Sequence, residues 1–125
     1  MTTAAYSTTA FTPDGLIAQN AHLLVDEPVT LITGQNLKRG AVLGKITASG
    51  KYNLSLSAAA DGSQTPVAIL AVDTDATAAD KATVAYFRGD FQASAVILGA
   101  AHTVASVKAA LRAANIELIA TQGGV

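Results

Sequence analysis

LKRGAVLGKI (37–46), GKYNLSL (50–56), DGSQTPVAILAVDTD (61–75) and KATVAYFRGDF (81–91) decide how this chain folds. Each is a short run of β-branched and small apolar residues punctuated by glycine, the pattern of successive strands. In residues 51–57, Tyr52, Leu54 and Leu56 alternate with Lys51, Asn53 and Ser55, a period of two that puts one face in a core and the other in water. Residues 66–72 are apolar almost without a break, as in a strand covered on both faces. Residues 41–47 form another strand, where Gly44 predicts a bulge or a close backbone approach. Residues 82–87 form the next, and Arg88-Gly89-Asp90 is expected to turn the chain into Phe91. No residue in these runs is arranged for chemistry.

Upstream, residues 29–33 are β-branched and end at Gly34, which predicts a first strand followed by a turn at Leu37-Lys38-Arg39-Gly40. Residues 58–65 and 73–80 read as loops. Downstream, residues 94–98 read as one helical turn closed by Gly99. Thr103 is an N-cap for a helix over residues 104–114, with Val104, Val107, Ala110 and Leu111 on one face and Lys108 and Arg112 opposite. Those cations suit the helix C-terminal end, and Asn115 suits the left-handed position beyond it. Residues 116–120 return as a last strand. Residues 1–15 are rich in Thr, Ser and Ala with isolated Tyr6 and Phe11 and follow neither period, so they read as a flexible arm, ended by the turn signal Pro13-Asp14-Gly15. Residues 16–125 are expected to be a single domain. Its fold class is mainly β, a small β-rich barrel or sandwich with one or two short helices near the C-terminal end.

The chain has 125 residues, half of them hydrophobic and 14% charged, which fits one domain. At that length folding hides about two thirds of the surface, enough for a core without metal or disulfide staples. Cysteine and tryptophan are absent, which excludes thiol catalysis and thiolate metal sites. A net charge of −1 argues against a phosphate-binding surface, so no nucleic-acid partner is expected. The start lacks the basic and apolar regions of a signal peptide, and no apolar run approaches the ~20 residues of a spanning helix. No membrane partner is expected, and synthesis in a cytoplasm is. Much of the apolar content is alanine and valine, so the subunit is expected to complete its burial against copies of itself or a partner.

Candidate chemistry is sparse. His22 and His102 lie far apart with no acid at ligand or triad spacing, and read as surface or turn residues. Asp73, Asp75 and Asp80 come nearest to a calcium loop, but Ala79 and Ala82 stand where ligands are needed. Gly40 and Gly44 open no phosphate-binding helix. Arg88-Gly89-Asp90 matches an integrin-ligand tripeptide, which a hairpin turn explains fully. Asp80-Lys81-Ala82 resembles the modified-lysine tripeptide of lipoyl domains, small β-sandwiches that present lysine at a hairpin tip. An acyl carrier modified on Lys81 is therefore the alternative reading, although the surrounding strands and glycines do not follow that family. No catalytic, cofactor-binding or metal residue is assigned, and no enzyme activity or cofactor is expected.

The order GAVLGKI, GKY, DG, PVAILAVD, ATVAYFRGDF is similar to that of the bacteriophage head decoration protein family, of the phage lambda type. The resemblance continues through the segment after Phe91 and covers most of the chain. It implies a small β-rich protein, of β-tulip type, that forms a homotrimer on the outside of the expanded phage head. There it would sit at threefold and quasi-threefold positions and clamp the major capsid protein against the pressure of packaged DNA. It places the mature protein in the virion after synthesis in the bacterial host cytoplasm, and implies an arm that orders on the shell. A Thr-rich arm can add as a strand to a partner's sheet edge. Tyr6 and Phe11 are assigned as its anchors, with Thr8, Thr9 and Thr12 as further arm contacts, and Leu16 and Ile17 as shell or trimer contacts beside it.

Overall fold

The computed structural model describes residues 15–20 and 23–119. Its strands in chain order are β1 (Ile17–Gln19), β2 (Val25–Leu31), β3 (Gln35–Leu37), β4 (Val42–Lys45), β5 (Tyr52–Leu54), β6 (Pro66–Leu70), β7 (Thr74–Ala76) and β8 (Lys81–Gln92). A 3₁₀ turn (Ala93–Ala95), one helix α1 (Val104–Ala113) and β9 (Ile116–Ile119) complete the described chain. Strands β2, β5, β4 and β6 are neighbours in that order, and β8 pairs with both β2 and β6. The path therefore closes into a small barrel. Strands β3 and β7 form a separate antiparallel pair.

Alternation along the strands divides the core in two. Leu43, Tyr52, Ala68, Leu70 and Ala85 come from β4, β5, β6 and β8 and meet inside the barrel, with Val29 of β2 and Phe87 packed against them. Their chain neighbours Val42, Ile69 and Tyr86 point the other way, toward a layer of Leu16, Phe91, Val107, Leu111, Ile116 and Leu118. Residues 66–71 are thus covered on both faces as their unbroken apolar run predicts, whereas Val72, at the end of the run, is 48% exposed. Burying each Leu- or Ile-sized side chain contributes roughly 1.5–3 kcal/mol, so both layers are needed.

Gly44 shows the bulge and the close approach together. The β4–β6 register shifts between Leu43 and Gly44. A Cβ at Gly44 would lie 1.9 Å from the Ser63 carbonyl oxygen. Thr103 caps α1 as expected: its side chain accepts from the Ser106 N–H while the Ser106 hydroxyl accepts from the Thr103 N–H. Asn115 takes the left-handed conformation beyond the helix, with φ of 72°.

Several expectations are corrected. Arg88-Gly89-Asp90 is not a turn, because β8 runs unbroken through it and exchanges partners there. Its first part pairs with β2 and, at Ala85 and Tyr86, with β6. Its last residues pair with β9 on one side and β1 on the other. The register against β2 shifts between Val25 and Asp26, leaving Phe87 as the extra residue, and Gly89 at φ of 150° lets the strand bend between sheets. The first barrel strand starts at Val25 rather than Val29, since Asp26, Glu27 and Pro28 form an exposed strand against Tyr86, Ala85 and Val84 in turn. Residues 73–80 are not wholly loop: Thr74–Ala76 form β7 on Gln35–Leu37. The segment at 94–98 is a 3₁₀ turn over Ala93–Ala95, after which Ile97 bridges to Ala41.

Candidate functional site

The root of the N-terminal segment is fixed to the body. Gly15 is left-handed with φ of 82°, and Leu16 next to it is 2% exposed among Phe91, Val107 and Leu111. The Gln92 N–H donates to the Leu16 carbonyl at 2.7 Å, which sets the register of β1 on β8. Ile17 lies opposite Phe91 and Gln19 opposite Asp90. The Asp90 carboxylate accepts from Gln19 Nε2 at 3.2 Å and from Asn20 Nδ2 at 2.9 Å. Asn20, at φ of 54°, then turns the chain toward β2. Of the two contacts assigned beside the arm, Leu16 is buried in its own chain's core and Ile17 is half-buried against that core. Tyr6, Thr8, Thr9, Phe11 and Thr12 lie outside the described residues, as do His22, Pro13 and Asp14. Asp90, read from sequence as a turn residue, and Gln92, to which the sequence assigns nothing, are the residues that hold β1. Their role depends on strands distant in sequence, so no local pattern marks them.

The acidic residues of the 73–80 segment serve turns. Asp73 accepts from the Arg39 N–H at 2.8 Å, and Asp75 from the Thr77 N–H and hydroxyl. Asp80 accepts from the Thr33 N–H at 2.8 Å and pairs with Lys51 at 2.6 Å. Hydrogen bonding from Thr77 lowers the pKa of Asp75, and the Lys51 ammonium and then the Thr33 N–H lower that of Asp80. Among the described residues no three His, Cys, Asp or Glu side chains gather into a group able to hold a metal. No described helix is long and apolar enough to cross a membrane. Lys81 does not sit at a hairpin tip: it is the first residue of β8 and pairs with Leu31.

One arrangement invisible in sequence has the look of chemistry. Ser55 Oγ lies 3.2 Å from His102 Nε2, serine–histidine distance. Yet Ser55 is fully buried and its hydroxyl donates to the Ser63 carbonyl at 2.7 Å. His102 Nε2 also faces the Gln64 carbonyl at 3.2 Å, and a carbonyl can only accept. With the Ser55 hydroxyl turned to the Ser63 carbonyl, its proton is not aimed at the imidazole. The group ties the start of α1, through Ser106 on Nδ1, to β5 and the 61–65 loop. It is structural.

What this body offers is a rigid frame that fixes where its N-terminal segment leaves. Comparison with protein families matches residues 5–118 to the bacteriophage lambda head decoration protein D family. The chain belongs to that family. Membership supports a phage capsid decoration role and a virion location, in a family of structural capsid proteins. The match runs through all nine strands up to Leu118, covering the barrel, α1 and the β1 root together. No curated protein matches the chain.

Proposed function

We propose that this protein is a trimeric cement of the phage head, which binds the outside of the expanded shell at threefold and quasi-threefold positions and holds major capsid subunits together against packaged DNA. The observation that carries the reading is the anchored root of β1. A flexible segment transmits force only if its base is fixed, and here Leu16 is buried in the core while Gln19 and Asn20 bind Asp90. Residues 1–15 act as the arm, adding as a strand to an edge of the capsid subunit with Tyr6 and Phe11 as anchors and Thr8, Thr9 and Thr12 along the strand.

Ordering such a segment costs about 2–5 kcal/mol, so a single arm holds weakly. Three arms on one trimer raise retention by roughly 10²–10⁴ over one when all reach their sites together. That requirement makes binding sensitive to subunit spacing, so the expanded shell is gripped and the immature one is not. The test mixes purified protein with expanded, undecorated heads, comparing the whole chain with one that begins at Leu16, which keeps the core residue. The whole chain is expected to bind and the shortened one to be lost on washing. Equal binding overturns the arm mechanism, and binding by neither overturns the capsid role.

A further inference from the structure

We draw no further inference here: the strongest candidate, the exposed apolar patch of Leu56, Ile97 and Val104 around the start of α1, carries nothing, since nothing in the structure shows what covers it.

Discussion

A Cβ placed on Gly44 meets not a movable side chain but the backbone carbonyl of Ser63, in the loop that covers the outside of β4. Gly44→Ala must push the whole loop outward and disturb Ser55, whose hydroxyl donates to that carbonyl. Overpacking of this kind costs about 1–3 kcal/mol, and a lower urea midpoint is expected for the variant. An unchanged midpoint would mean the loop lifts freely. Ala101 is the converse case, an L-residue at φ of 68°. Left-handed backbone costs such a residue roughly 1–2 kcal/mol, partly offset by the unfolded-state entropy that glycine adds. Ala101→Gly is therefore expected to raise the midpoint by up to about 1 kcal/mol of stability. The two sites differ in legibility. Gly44 could be read from its place inside a strand pattern, whereas nothing around Ala101 signals the turn it occupies before α1.

Among the elements, α1 and β9 are joined by charge as well as by core. Glu117 of β9 binds Arg112 at 2.8 Å and Lys108 at 2.9 Å, and Lys108 also donates to the Leu118 carbonyl. The Arg112 bond first, then that of Lys108, lowers the Glu117 pKa from 4.5 to about 2. Ionised Glu117 therefore favours the folded state fully above pH 4.5, and that contribution fades as pH falls toward 2. The pairs are exposed, so the effect is held below about 1 kcal/mol by solvent screening. Glu117→Gln should lose stability at pH 6 and converge with the parent near pH 2 in paired thermal melts. A constant gap across that range would assign the loss to packing. At the other end of the helix, Thr103→Ala removes the cap and is expected to cost about 1 kcal/mol by urea denaturation at neutral pH. These local devices, like the double-sided burial of residues 66–71, are written in side-chain type and spacing, and so were legible. The course of β8 through Arg88-Gly89-Asp90 was not, because glycine between polar residues has the local signature of a turn, and only the distant strands β1 and β9 make it a crossing point. The β3–β7 pair was hidden for the same reason: three polar-rich residues on each side become strands only by meeting.

On the scale of the whole molecule, the body fixes where β1 starts, through Leu16 and Asp90, and the proposed function assigns binding to the arm ahead of it. The proposed arm is read from residues 1–15 because they lack either period. The residues that hold β1, Asp90 and Gln92, could not be read in that way, since both acquire their role through pairings some 70 residues away in sequence. If binding depends on several arms on one assembly, the number of arms should matter more than their total concentration. Whole chains and chains beginning at Leu16 can be unfolded together and refolded at varied ratios, giving, for the proposed trimer, assemblies with three, two, one or no arms. Retention on expanded heads is then expected to fall far more steeply than the fraction of whole chains, because each missing arm removes part of an avidity worth roughly 10²–10⁴. A mixture of equal parts should keep mainly the assemblies richest in arms on the heads after washing. Recovery that tracks the fraction of whole chains in simple proportion would mean that each subunit binds alone, and the clamp would have to be replaced by independent single-arm attachment.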